Sequence, residues 1–178
     1  FISGTGSNLK NLINFSKTKK SPISIDLIIS NTIKAKGLKF ANQYQIKKKI
    51  FNFKNIKTTE KKLFILLKKK KIKFICLAGF MKILSSKFIK QFNGKIINIH
   101  PSLLPRYKGL NTHSRAIQNK DKFSGCTVHY VTKKLDSGKI IMKKKIKILK
   151  KDTPSSLARK ILKQEHKIYP KAILKIFN

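Results

Sequence analysis

The sequence predicts an α/β fold with a mostly parallel central sheet flanked by helices. Short apolar runs alternate with amphipathic stretches along the whole chain, the order expected when strands and crossover helices build one layered sheet. The run "FICLA", residues 74–78, is apolar throughout, as a central strand covered on both faces requires. At 178 residues the chain is of ordinary single-domain size and long enough to bury a core.

Taken in order, strands are expected at 1–2, 25–30, 50–53, 72–78, 95–99, 126–132 and 139–148. Helices are expected near 8–15, 34–45, 59–70, 85–92, 112–119 and 153–177. The last helix has a clear start: Asp152 or Thr153 can cap it and Pro154 suits its first turn. Leu157, Ile161, Ile168, Ala172 and Ile176 recur at helical spacing and should face the sheet, and Pro170 should kink the helix. No internal repeat or linker interrupts the pattern. The expectation is one domain over 1–178, with the first strand and the C-terminal end incomplete.

The formal charge is +37, from 43 basic and 6 acidic residues. Read directly, this points to a polyanion. The basic residues, however, are dispersed and almost all Lys; Arg occurs only at 106, 115 and 159. Lys, Ile, Asn and Phe share AT-rich codons, so drift in base composition accounts for the charge without a nucleic-acid partner. Runs such as "KKKK" at 68–71 read as solvated faces. No apolar run approaches the roughly 20 residues that span a bilayer, no signal peptide opens the chain, and a cytoplasmic location is expected. Cys76 and Cys126 lie apart in apolar runs and read as buried free thiols.

One window escapes the lysine bias. Between Ile96 and Asn119 only Lys108 occurs, in a stretch that includes "INIHPSLLPRYKGLNTH". Side chains alternate along a strand, so Asn98 and His100 point to one face, while Ile97 and Ile99 point to the other. Pro101 then ends the pairing at a strand tip, where α/β folds place their sites. His100 exchanges a proton near neutral pH, and a nearby carboxylate would raise its pKa. Among the six acids, Asp136 in "KKLDSGK" is the obvious partner, although an ordinary turn Asp fits that setting equally well. Asn98 can donate its amide to a developing oxyanion. With no Ser or Cys in a nucleophile setting, the group suits direct acyl transfer between two substrates.

"ISGTGSN" follows the first strand and opens the first helix, so Gly4, Gly6 and the helix N-terminus form a loop able to hold a phosphate. Leu9 stands where a dinucleotide fingerprint needs its third glycine, so a small phosphate ester is a better ligand than a dinucleotide. His113 precedes a helix and can cap it or contact a ligand. His129 reads as a core or sheet-end histidine, and His166 as partly exposed. The four histidines show no metal-ligand spacing, and no metal is expected.

Together, "ISGTGSNL", "LAGFMKILS", "NIHPSLLPRYKGLNTH", "VHYVTKKLDSGKII" and "QEHKIYP" resemble the phosphoribosylglycinamide formyltransferases, in that family's order and over nearly the whole chain. The resemblance implies a Rossmann-like formyltransferase fold. It also implies transfer of a formyl group from 10-formyltetrahydrofolate, as co-substrate, to the amine of 5-phosphoribosylglycinamide in purine synthesis. The family's catalytic Asn, His and Asp fall on Asn98, His100 and Asp136. Its phosphate loop falls on Gly6, Ser7 and Asn8. The remaining glycinamide-substrate contacts fall on Leu162, Lys163, Gln164 and Glu165. Its folate pocket falls on Met81, Lys82, Ile83 and Leu84, on Asn98, and on Thr132, Lys133, Lys134, Leu135 and Asp136. The expected partners are these two small molecules, with no specific nucleic acid and no membrane, in a monomer or homodimer.

This chain departs from the family pattern in places. Lys82 stands where many members carry Arg, which keeps the charge but loses the bidentate fork. Ser137 replaces a common Gly. An Arg used on the folate tail has no match, and Lys61 or Lys62 stands nearest its place. Methionyl-tRNA formyltransferase and formyltetrahydrofolate deformylase share the trio. The "GTGSN" loop and the "QEH" helix speak against the first, and the deformylase usually carries an extra N-terminal domain. A basic RNA-binding module predicts aromatic residues among clustered basics, which these lysine runs lack.

Overall fold

A computed structural model describes residues 1–178, which divide into two compact units, Phe1–Ile97 and Asn98–Asn178. The first unit holds α1 (Ser7–Ser16), β1 (Ile28–Ser30), α2 (Leu38–Gln43), β2 (Lys48–Ile50), α3 (Ile56–Lys69), β3 (Phe74–Leu77) and α4 (Ser86–Gln91). β4 (Lys95–His100) begins in the first unit and ends in the second. The second continues with α5 (Thr112–Gln118), β5 (Phe123–Tyr130), β6 (Ile140–Lys147) and α6 (Pro154–Phe177).

In the first unit β1 and β2 are parallel, with Ile29 opposite Lys49. Residues 1–3 run between β1 and β3. Ile2 N–H donates to the Ile29 carbonyl at 2.9 Å, the Phe1 amino group donates to the Cys76 carbonyl at 2.7 Å, and Ala78 N–H donates to the Phe1 carbonyl at 2.9 Å. Donation to residue 76 and acceptance from residue 78 is the slanted pattern of a parallel pair. Lys95 N–H donates to the Lys73 carbonyl at 2.9 Å and sets β4 beside β3. Ile2, Leu12, Ile13, Ile28, Ile29, Leu63, Leu67 and Ile97 are buried and form the core of this unit.

Local chemistry explains the helix starts. Asn55 caps α3 by accepting from Thr58 N–H, and Ser85 caps α4 by accepting from Phe88 N–H. Glu60, buried in α3, accepts from Ser85 N–H at 2.6 Å and from the Ser85 hydroxyl, so a scarce acid ties α3 to the start of α4.

In the second unit β5 and β6 are antiparallel, with a register shift between Val128 and His129. β5 lies between β4 and β6, and α6 packs on both β5 and β6. The capping residue of α6 is Thr153, in a reciprocal capping box with Ser156. Asp152 instead accepts from Leu149 N–H, the Ser156 hydroxyl and Lys160 Nζ.

Several boundaries differ from the sequence-based expectation. β2 lies two residues before its expected start, because the chain turns after Ile50. α2 begins only at Leu38, since residues 31–37 form turns. The helix runs unbroken through Pro170 to Phe177. Its inner stripe uses Leu157, Ile161, Ile168, Ala172 and Ile173; Ile176, expected on that face, is only half-buried. Cys126 is buried as expected, but Cys76 is only partly so. No helix is long and apolar enough to cross a membrane.

Candidate active site

β4 ends at His100, and the segment after it is pinned by side chains of the neighbouring strands. The Thr127 hydroxyl donates to the Ser102 carbonyl at 2.7 Å and accepts from Leu104 N–H at 3.1 Å. Lys143 Nζ donates to the Leu104 carbonyl. The chain then doubles back, with Tyr107 and Gly109 in the left-handed region at φ 53° and 76°. This return lays the Tyr107 carbonyl 2.8 Å from His100 Nε2. It also aims Gly109 N–H at Asp136 Oδ2, 2.9 Å away.

Asp136 reaches the same point from the turn between β5 and β6. Its φ of 45° is left-handed, a conformation that Asp tolerates better than most residues. Gly138 is required two positions later, since a Cβ there would lie 1.8 Å from the Tyr130 carbonyl oxygen. Asp136 Oδ2 stands 3.4 Å from His100 Nδ1, and Oδ1 stands 3.6 Å from His129 Nε2. Asn98 Nδ2 lies 3.4 Å from His129 Nε2. His129 Nδ1 faces the Tyr130 carbonyl at 2.9 Å and must carry a hydrogen to use it. Nε2 thus lies between the Asn98 amide and the Asp136 carboxylate, and the Asn98 amide has a second N–H besides the one that can face it.

Electrostatics correct one expectation. Asp136 does raise the pKa of His100, but burial is the larger influence and leaves the imidazole below its ordinary value of 6.5. The Tyr107 carbonyl works with Asp136, whereas His129 and Arg115 add to the lowering. His100 is thus mostly neutral at pH 7. Burial opposes the charge on Asp136 as well, but the His129 ring 3.6 Å away, the hydrogen bond from Gly109 N–H and the field of His100 outweigh it, so its pKa is lowered. The ring and the carboxylate meet as a neutral base beside a fixed anion.

The other sequence-predicted residues are placed as follows. Gly6, at φ 77°, precedes α1, and its backbone touches that of Gly37. Ser7 and Asn8 are the first two residues of that helix, and Asn8 is buried. Met81 and Ile83 are exposed, as is Lys82, while Leu84 is buried. Met81 N–H is held at 2.7 Å by the Ser3 hydroxyl. Lys133, Lys134 and Leu135 are exposed on the turn before the buried Asp136, and Thr132 is exposed with its hydroxyl donating to the Lys134 carbonyl at 3.2 Å. On α6, Leu162 and Glu165 share a face, three residues apart, and Lys163 is exposed, with Gln164 half-buried. Glu165 is buried. The Cys126 thiol is pushed up to about 12, by burial first and by the charge of Glu165 second.

Sequence reasoning missed His129, Tyr107 and Gly109. The lysine-poor window was a signal for the last two. Nothing local marks His129, whose neighbours are set by strand pairing. His113 lies inside α5 rather than before it, and its buried Nε2 has no hydrogen-bond partner.

A buried His–carboxylate pair with an amide on the same strand supplies the kinds of group that acyl transfer uses. The formyl transferase family model matches residues 1–173, and the chain belongs to that family. It is 41% identical over 175 residues to the phosphoribosylglycinamide formyltransferase of Haemophilus influenzae, covering 97% of this chain and 82% of that protein. It is 40% identical to the human trifunctional purine biosynthetic protein adenosine-3 over 97% of this chain, but spans only 17% of that protein's length. The Brucella melitensis phosphoribosylglycinamide formyltransferase structure superposes with a TM-score of 0.93 at 40% identity, covering 99% of this chain and 92% of that one. The Bacillus halodurans enzyme of the same name gives 0.95 at 32% identity, covering 100% and 93%.

Proposed function

We propose that this chain transfers the formyl group of 10-formyltetrahydrofolate to the amine of 5-phosphoribosylglycinamide in purine biosynthesis, in the cytoplasm, as one formyltransferase domain in a monomer or homodimer. The observation that carries this reading is the 3.4 Å contact between His100 and Asp136, on a strand that also bears Asn98. The likeness to enzymes of that name supports the choice of substrates.

In this mechanism the amine nitrogen attacks the formyl carbon. A C–N bond forms and the carbonyl electron pair moves onto oxygen. Asn98 donates its second N–H to that oxyanion. Neutral His100 takes the proton that the attacking nitrogen sheds, and Asp136 stabilises the resulting imidazolium. His100 returns the proton to the folate N10 as the C–N10 bond breaks and its electron pair stays on nitrogen. The products are the formylated glycinamide and tetrahydrofolate.

Residue by residue, Gly6, Ser7 and Asn8 are assigned to the substrate phosphate, and Leu162, Lys163, Gln164 and Glu165 to the glycinamide substrate. Met81, Lys82, Ile83 and Leu84, with Asn98 and Thr132, Lys133, Lys134, Leu135 and Asp136, are assigned to the folate. Leu84, being buried, would contribute through its backbone and as packing behind the exposed three.

The decisive assay follows folate release with and without the glycinamide acceptor. Release should require the acceptor and match formylated product one to one. Equal release without acceptor identifies a deformylase, and formylation of methionyl-tRNA in its place overturns the assignment.

A further inference from the structure

Both imidazole nitrogens of His100 face acceptors: Nδ1 the Asp136 carboxylate at 3.4 Å and Nε2 the Tyr107 carbonyl at 2.8 Å. A backbone carbonyl can only accept, so Nε2 must carry a hydrogen to use it. The neutral ring then has one lone pair, on Nδ1, and that nitrogen alone can take up a proton.

What holds the Tyr107 carbonyl there is a set of side chains outside the catalytic trio. Tyr107 sits at φ 53°, where bulky residues rarely stay unless their surroundings over-determine them. Its hydroxyl donates to Asp121 Oδ2 at 2.7 Å and accepts from Asn119 Nδ2 at 2.8 Å. Arg106 Nη2 donates to Asp121 Oδ1 at 2.9 Å. The guanidinium groups of Arg106 and Arg115 lie 5.3 and 5.0 Å from the Tyr107 ring centre. Arg115 also donates to the Lys108 carbonyl at 2.8 Å and so fixes the next peptide. In a chain with six acids, one carboxylate, its side chain 9% exposed, is committed to gripping a tyrosine whose backbone touches the catalytic histidine.

We infer that Asp121 and Tyr107 are positioning residues that lock His100 in its Nε2–H tautomer, so that the proton of the transfer reaction is exchanged at Nδ1. The tautomer itself follows from the geometry, and its use in catalysis rests on the function proposed above. In the other tautomer the lone pairs of Nε2 and the Tyr107 carbonyl would meet at 2.8 Å, closer than the 3.4 Å at which the Nδ1 lone pair faces the Asp136 carboxylate in this one. The charged and titratable groups around His100 are Asp136, His129, Arg115 and His113. Only Arg115 among them touches the Tyr107 ring, and neither substitution below removes it.

The test uses the full chain with 15N-labelled histidine, His100 being assigned by its loss in His100→Gln. Long-range proton–nitrogen spectra at pH 8 should show hydrogen on Nε2 and a bare Nδ1 in the unsubstituted protein. Tyr107→Phe, which loses the Asp121 and Asn119 bonds but keeps the ring, should give mixed tautomers. Its kcat for formyl transfer should fall on the order of 10²-fold, as misplacing a catalytic group does, with the KM of both substrates within about twofold. Asp121→Asn, nearly isosteric, should move in the same direction by less, and it decides the matter if Tyr107→Phe fails to fold. Hydrogen on Nδ1 in the unsubstituted protein, or an unchanged tautomer in a folded variant, overturns the inference. If the tautomers shift as expected but no variant transfers formyl, the lock stands and the proposed function fails.

Discussion

Gly6 and Gly37 meet backbone to backbone: a Cβ on Gly6 would lie 2.5 Å from Gly37 Cα, and one on Gly37 would lie 2.8 Å from Gly6 Cα. Gly37 N–H also donates to the Gly4 carbonyl at 2.9 Å, so the loop before α1 is braced against the turn before α2. Gly6→Ala therefore faces both a steric collision and a φ of 77°. The left-handed conformation alone costs an L-residue roughly 1–2 kcal/mol. At about 2–4 °C per kcal/mol for a chain of this size, Tm should drop by several degrees in a calorimetric scan. Affinity for the phosphate-bearing substrate should fall with it, and an unchanged Tm would show that the loop relaxes freely.

Asp136→Asn isolates charge from shape, because Asn also tolerates the left-handed backbone that Asp136 adopts. The substitution should lower kcat by about 10²–10⁴-fold, the usual weight of a group that supports acid–base catalysis. Circular dichroism should be unaltered. A loss under about threefold would mean that Asp136 serves the turn and not the chemistry.

The lowered pKa of His100 sets the pH dependence. A reaction that needs the neutral ring gains rate as pH rises through the imidazole pKa, so the acid limb of kcat/KM should lie below 6.5. Asp136 opposes the lowering, and Asp136→Asn should shift the residual acid limb further toward acid. A limb above 6.5 in the unsubstituted protein, or a shift of the opposite sign, contradicts the assigned environment.

Asp152 offers a stability prediction separate from the site. The Lys160 ammonium, Leu149 N–H and Ser156 hydroxyl, in that order, hold its carboxyl at about 2, against an ordinary value of 3.8. A depressed folded-state pKa stabilises above the unfolded value and loses that effect as pH falls from 3.8 toward 2. Asp152→Asn should thus lower Tm at pH 7, and the difference from the unsubstituted protein should shrink by pH 2. A difference that persists undiminished at pH 2 would assign the effect to packing.

Much of this was legible in the chain. Alternation along 97–100 placed Asn98 and His100 together because strand periodicity is a local property. Every helix was anticipated, although α2 begins four residues after its expected start because turn residues precede it. Illegible was whatever depends on contacts between distant residues. His129 reads as a core histidine on its own strand, and only the turn carrying Asp136 turns it into a neighbour of the site. Burial of His100 reverses the expected sign of its pKa, because the sequence reveals the carboxylate but not the loss of water. The Tyr107 carbonyl is invisible for a simpler reason: backbone groups carry no residue code.

Residues 1–3 have a further consequence. They bond to β1 on one side and to β3 on the other, and no other ladder in the first unit joins the β1–β2 pair to β3. Deleting them would leave β1 and β3 with two open edges, each lined by unpaired amides and carbonyls that recruit other chains. A three-residue trim would thus show itself first in the pellet after centrifugation and only afterwards in an assay.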